Sequence, residues 1–471
     1  MVFSSPVFLF AFLPATLAAY FLCPAAGRNL LLVAASLFFY AFGEGAYVAL
    51  LVASIGFNYL AARAIDGAAD RKRAWLAVGV GGNLLLLGFF KYWTFLFGSF
   101  GGLLGWQPSG AELPLPLGIS FFTFQAISYL VDTYRGAARA LRNPIDVALY
   151  ISLFPQLVAG PIVRYEAVAA AIQKRRTTLL GATEGVELFI VGLSKKLLLA
   201  NPLGAVADAA FASAETGLAI YGAWLGILCY ALQIYFDFSG YTDMARGLGK
   251  LLGFEFPVNF RFPYLSLSVR EFWRRWHISL SSWFRDYVYI PLGGSRRGRA
   301  RTGLNLWIVF LLCGLWHGAS WTFVLWGAAH GAWMALERTR LGAALEGGPR
   351  LLRWAATTLF LLFAWTLFRA ESLSHGVAYL ASLVAFDTWG AAKPVEMIGL
   401  LDTRFWIVFG SACFFALDGH GRLLRRSPIR TASRGVAPLL AVRFCGFAGL
   451  ALLSFVQLSV QGYNPFIYFH F

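Results

Sequence analysis

Trp316-His317-Gly318 lies within residues 304–336, a run that contains no Lys, Arg, Asp or Glu. An imidazole in an apolar segment of that length is costly to bury, and its usual explanation is a functional site facing the protein interior. Forty residues upstream a second histidine, His277, sits in Glu271-Phe-Trp-Arg-Arg-Trp-His-Ile-Ser-Leu280. If the two imidazoles reach one buried site, the chemistry they suit is proton transfer, because histidine gains and loses a proton near neutral pH. His330, in Trp326-Gly-Ala-Ala-His330-Gly331, is a third imidazole of the same apolar run, and a satisfied core histidine is its plainer explanation. Gly318, Gly327 and Gly331 beside these residues allow close approach of a neighbouring helix or a ligand.

Charged side chains surround these histidines in the sequence. Arg274, Arg275 and Arg285 lie in a segment that also carries three tryptophans, the pattern of a helix at a membrane surface. Clustered arginines also hold phosphate groups bidentately, so the segment reads either as a surface anchor or as a phosphate-binding site. Asp286, directly after Arg285, neutralises part of the charge. Asp237 and Asp243, in Tyr235-Phe-Asp-Phe-Ser-Gly-Tyr-Thr-Asp243, either cap helices and pair with nearby cations or act at the site. Asp-X-Ser-Gly is itself turn-favouring. The five cysteines, Cys23, Cys229, Cys313, Cys413 and Cys445, are too widely spaced for a metal motif or a disulfide framework. Neither a Gly-X-Ser-X-Gly elbow nor a His-Glu-X-X-His motif is present, which disfavours serine-hydrolase and zinc-hydrolase mechanisms.

The elements that position these residues must be membrane helices. The 471-residue chain is 59% hydrophobic and 13% charged, with a mean hydropathy of +0.65, whereas soluble domains average about 45–50% apolar and about 25% charged. An all-α polytopic membrane protein is expected, as one membrane domain over 1–471. Apolar stretches at 7–22, 29–42, 46–62, 75–97, 116–131, 186–199, 220–234, 304–315, 321–336, 354–368, 405–416 and 437–458 predict roughly 11 crossings. The stretch 186–199 is the weakest, because it holds Glu187, Lys195 and Lys196. Residues 147–161 and 240–256 are re-entrant candidates. The run 304–315 is too short to cross as a helix, so a break is expected at His317, still at membrane depth. The first stretch lacks a basic leader and a cleavage site, and reads as a retained helix.

A net charge of +16 would suggest nucleic acid in a soluble protein. Here basic loops on the cytoplasmic face explain it better, and no nucleic-acid partner is expected. Those loops also attract anionic lipid head groups or an anionic cofactor. The basic clusters are Arg71-Lys72-Arg73, the arginines at 135, 139 and 142, Lys174-Arg175-Arg176, eight arginines between 270 and 301, those at 338–353, and those at 422–434. An even number of crossings between them places all on one face, with residues 462–471 outside.

From about 116 to 336, and more loosely throughout, the sequence resembles the membrane-bound O-acyltransferase family, in particular its bacterial alginate O-acetylation subgroup. The stretches that carry the resemblance are Pro116-Leu-Gly-Ile-Ser-Phe-Phe-Thr-Phe-Gln125, Phe154-Pro-Gln-Leu-Val-Ala-Gly-Pro-Ile162, Tyr235-Phe-Asp-Phe-Ser-Gly240, Phe272-Trp-Arg-Arg-Trp-His277, Tyr289-Ile-Pro-Leu-Gly-Gly294 and Trp316-His317-Gly318. The resemblance implies that His317 is the catalytic histidine and that His277 is a second polar position at the reaction tunnel. It also implies a multi-pass protein of the bacterial inner membrane, with a channel joining its two faces. No resident cofactor or metal is expected. Acetyl-CoA is the expected donor, its phosphates near Arg274, Arg275 and Arg285, with Trp316 at the substrate. The expected partners are a periplasmic acetyltransferase and an exported polysaccharide. A base that deprotonates a hydroxyl and donors for the developing oxyanion are what acyl transfer from a thioester requires. A teichoic-acid, lipid or other glycan acceptor, or a transporter without acyl chemistry, are the competing readings.

Overall fold

The computed structural model describes residues 1–67, 70–101, 114–388, 397, 399–418, 436–460 and 466–467. Every regular element among them is a helix. Among the described residues six helices are long and apolar enough to cross a membrane: Ala25–Glu44, Tyr47–Gly67, Lys72–Ser99, Leu179–Ala212, Arg350–Arg369 and Ala441–Val460. The late basic cluster at 422–434 and most of residues 462–471 lie outside the described residues.

By packing, the chain divides into two compact units, one of residues 1–189 and 241–258, the other of residues 190–240 and 259–471. In the first, neighbouring spanning helices are joined by polar side chains. Asn58 and Asn83 donate to each other's carboxamide oxygens at 3.1 and 2.7 Å, both fully buried. An apolar surround makes such reciprocal pairs an effective helix–helix link. The expected re-entrant stretch at 147–161 forms the helix Pro144–Ser152, a break at Leu153 and a four-residue helix Phe154–Leu157. Residues 149–163 are all buried, the condition under which irregular backbone is tolerated at membrane depth.

The other expected re-entrant stretch is corrected by the structure. Residues 240–251 continue a single helix, Ile220–Leu251, without interruption. The turn propensity of Asp237-Phe-Ser-Gly240 is overridden by packing. A Cβ at Gly240 would stand 2.7 Å from the Gly192 carbonyl oxygen, so this glycine serves helix contact. Asp237 sits on the same helix, where its carboxylate meets Lys196 at 2.5 Å, both side chains almost wholly buried. Its second oxygen accepts the Ile467 N–H at 2.8 Å, and the Phe466 ring lies 4.6 Å from the Lys196 ammonium. The charges that weakened the span at 186–199 are thus partly explained, because Lys196 enters the interior neutralised.

The second unit holds the helix hairpin of the apolar histidine run. Gly298–His317 and Trp321–Leu336 are antiparallel neighbours joined by residues 318–320. The first helix has 20 residues, about 30 Å at 1.5 Å per residue. It is longer than the apolar run 304–315 because residues 298–303 join it, so the break at His317 does not follow from shortness. The break is where Gly318 becomes extended at φ −163°. A Cβ there would stand 2.1 Å from the Phe323 ring. Further along, Gly314 and Gly327 bring the two backbones together. A Cβ at Gly314 would meet the Phe323 carbonyl at 2.3 Å, and one at Gly327 the Phe310 carbonyl at 2.4 Å.

Two stability tests follow from these contacts. Lys196→Met should lower stability by about 3–5 kcal/mol by stranding the Asp237 carboxylate, and adding Asp237→Leu should restore most of it. Thermal unfolding of the detergent-purified protein checks this, and a single variant as stable as wild type contradicts it. Gly327→Ala should cost about 1–3 kcal/mol through overpacking. Gly303→Ala on the partner helix should be tolerated, since its Cβ would find only Ala335 Cβ at 3.9 Å.

Candidate functional site

His277 occupies a corner between two short helices, Val269–Arg275 and Ile278–Phe284. The first is started by the Ser268 hydroxyl, which accepts the Glu271 N–H at 3.0 Å. The Glu337 carboxylate adds acceptors for the Val269 and Arg270 N–H groups at 2.6 and 3.1 Å, satisfying donors that a helix start leaves open. Glu337 caps the end of the histidine hairpin's second helix, so it ties the two parts of the site together. At the corner itself His277 adopts φ +42°, a left-handed conformation costing about 1–3 kcal/mol for a side-chain-bearing residue. Asn259 holds it there. The Asn259 carbonyl accepts the Ile278 N–H at 3.0 Å, and its side-chain oxygen accepts the Ser279 N–H and hydroxyl, each at 3.0 Å. The His277 Nδ1 lies 3.3 Å from the same oxygen.

The three histidines are strung together by tryptophans. His277 is fully buried and His317 is 3% exposed. The Trp316 ring makes edge contacts with both, at centroid distances of 6.1 and 4.9 Å. Trp326 in turn contacts His317 at 5.1 Å and His330 at 4.7 Å. Phe238 packs on His277 at 4.7 Å and Phe368 on His317 at 5.1 Å. The two sequence-predicted histidines therefore share one buried aromatic layer, linked through Trp316. His330 belongs to the same layer, and its Nδ1 accepts the Trp273 indole N–H at 3.2 Å. Because indole only donates, a neutral His330 carries its proton on Nε2. That bond fits the core role anticipated for this residue.

Beside this layer a cavity of about 410 Å³ is rimmed by Arg270, Arg274, Arg285 and Arg338. Its inner wall is apolar, formed by Trp273, Leu306, Val309, Phe310, Cys313 and Met334. Four of these wall residues stand on the helix that ends at His317, with Cys313 one turn before it. Trp273 is the wall residue that donates to His330. The structure separates the expected substrate residues. Arg274 is exposed on the rim. Arg285 is also on the rim, held by both oxygens of Asp286 at 2.6 and 3.0 Å, which keeps its guanidinium charged. Arg275 does not line the cavity and pairs with Glu271 at 2.8 Å. Trp316 is buried among the histidines instead. Among the described residues no group of His, Cys, Asp or Glu is placed to hold a metal ion.

Asn259 and Glu337 escaped the sequence reading, and Trp273 entered it only as one of the tryptophans of the arginine-rich stretch. Each acts over 18 to 68 residues of chain, and none forms a motif with its partner. The one available signal was their polar or indole groups within otherwise apolar, aromatic surroundings.

Comparison with known proteins agrees with this geometry. The family model described as "MBOAT, membrane-bound O-acyltransferase family" matches residues 113–340, which contain the corner, the hairpin and the cavity. The chain is 42% identical over the whole of both proteins to a probable alginate O-acetylase AlgI of Pseudomonas putida. It is 40% identical to a peptidoglycan O-acetyltransferase of Helicobacter pylori, over 82% of this chain and 80% of that one. A teichoic acid D-alanyltransferase of Bacillus subtilis is 30% identical over 46% of this chain and 58% of its own. This chain is a multi-pass membrane protein and an O-acyltransferase, and it belongs to the membrane-bound O-acyltransferase family.

Proposed function

We propose that this O-acyltransferase takes acetyl groups from acetyl-CoA on the cytoplasmic side of the bacterial inner membrane and passes them across for O-acetylation of an exported polysaccharide. The observation that carries this reading is the cavity, with its arginine rim and an apolar inner wall whose Trp273 and Phe310 touch His330 of the histidine layer. A donor with several phosphates at one end and a thioester at the other suits such a site. Arg274 and its neighbours hold the phosphates, and the pantetheine arm lies along the apolar wall. His317 removes the proton of the attacking hydroxyl as its oxygen bonds the thioester carbonyl carbon. The carbon–sulfur bond then breaks, and the thiolate takes the proton to leave as free CoA. His277 is the second imidazole at the site.

The acceptor class follows from the relatives. Those aligned over most of their length are named for O-acetylation of alginate or of peptidoglycan, and the D-alanylating relative covers less of the chain at lower identity. A soluble acetyltransferase on the outer face completes the transfer to the polysaccharide. Intramembrane histidines also serve proton relays in transporters, but the arginine rim and apolar wall of the cavity favour acyl chemistry.

Reconstituted liposomes with radiolabelled acetyl-CoA on the basic-loop face test this. The wild type should release CoA and deliver label to an acceptor on the other face. Arg274→Ala should raise KM for acetyl-CoA about two- to fivefold with little change in kcat, as expected for one exposed charge contact of ~0.5–1 kcal/mol. Absence of CoA release by the wild type contradicts the proposal and favours a transporter.

A further inference from the structure

The hydrogen bonds at the His277 corner decide which nitrogen of that ring carries the proton. The side-chain oxygen of Asn259 accepts a backbone N–H, that of Ser279, at 3.0 Å. A backbone N–H can only donate, so the Asn259 atom at this position is the carbonyl oxygen and not the amide nitrogen. The Ser279 hydroxyl donates to the same oxygen at 3.0 Å. The His277 Nδ1 lies 3.3 Å from it, and an imidazole nitrogen facing a carbonyl oxygen must carry a hydrogen. A neutral His277 is then protonated on Nδ1 and bears its lone pair on Nε2. This is the opposite tautomer to His330, whose Nδ1 accepts from Trp273.

The backbone reinforces the arrangement. The Ile278 N–H donates to the Asn259 carbonyl at 3.0 Å and the Arg261 N–H to the Arg275 carbonyl at 2.9 Å. The strand of chain at 259–261 is thus bonded along the corner on both sides of His277. Asn259 is 1% exposed and His277 fully buried, so water does not compete for these bonds. The rings of Phe238 and Trp316 pack on His277, and neither titrates.

We infer that Asn259 is a positioning residue for the acyl transfer: it fixes His277 with its proton on Nδ1 and its lone pair on Nε2, so that this imidazole serves the reaction as an acceptor. His277 therefore does not donate from Nε2 to the developing oxyanion. This rests on the reading that His277 stands at the reaction site.

Asn259→Asp and Asn259→Ala, measured beside His277→Ala, test it through the pH dependence of CoA release. The Asp variant keeps an acceptor for all three donors. Its carboxylate stabilises the imidazolium, so deprotonation of His277 moves to higher pH and the acidic limb of the rate profile moves up with it. The Ala variant releases the tautomer and should lose about tenfold or more in kcat, with KM for acetyl-CoA nearly unchanged. An Asp profile that superimposes on wild type overturns the inference. So does an Asp variant that is folded but inactive at every pH, or an Ala variant as fast as wild type. His277→Ala at the wild-type rate would instead remove His277 from the site, and is read separately in the same assay. Asp is nearly the shape of Asn, so the test stands even where the Ala variant fails to fold.

Discussion

The contact on which the site depends is the meeting of Gly314 with Gly327. With no side chain at either position, the backbones of Gly298–His317 and Trp321–Leu336 lie against each other, each glycine facing a carbonyl of the opposite helix. That approach sets the positions of everything on the hairpin. His317 ends one helix, Trp326 and His330 line the other, and the rings reach one another only because the backbones are so near. A pair of helices held apart by larger residues would place a gap where Trp326 now touches both imidazoles. Packing of this kind needs no hydrophobic driving force, which a lipid surround would not supply.

Onto this hairpin the rest of the site is fastened by polar groups whose partners are far away in sequence. Glu337, past the end of the second helix, caps the helix that leads to His277. Asn259 fixes the left-handed turn at His277 itself. Trp273, one turn before that corner, donates to His330 and walls the cavity. The arginine rim stays exposed at one end while the histidines stay buried at the other. One short stretch, 269–285, therefore supplies a cationic surface and a buried imidazole in the same few turns, because helix spacing sends Arg274 out and Trp273 and His277 in.

The sequence made the centre of this site readable and left its supports hidden, for physical reasons. His317 stood out because charge-free runs rarely hold an imidazole, and Gly327 because glycine beside a buried ring implies close approach. The helical membrane class followed from composition alone. The break at His317 was correctly placed, yet for another reason than the one inferred: the helix has ample length, and Gly318 ends it against Phe323. Asp237-Phe-Ser-Gly240 misled, since local turn preference gave way to a glycine contact within a long helix. The pairing of Asp237 with Lys196 and the grip of Asn259 on His277 cross 41 and 18 residues. No periodicity or motif connects such partners before the chain folds.

The role proposed for His317, within this layer, is the proton transfer of acyl exchange. The most direct measurement is CoA release from acetyl-CoA by the purified His317→Ala protein, with its fold checked by thermal unfolding. The expected result is a folded variant whose release falls by at least about a hundredfold, the loss of a positioned general base. Release at the wild-type rate would contradict it.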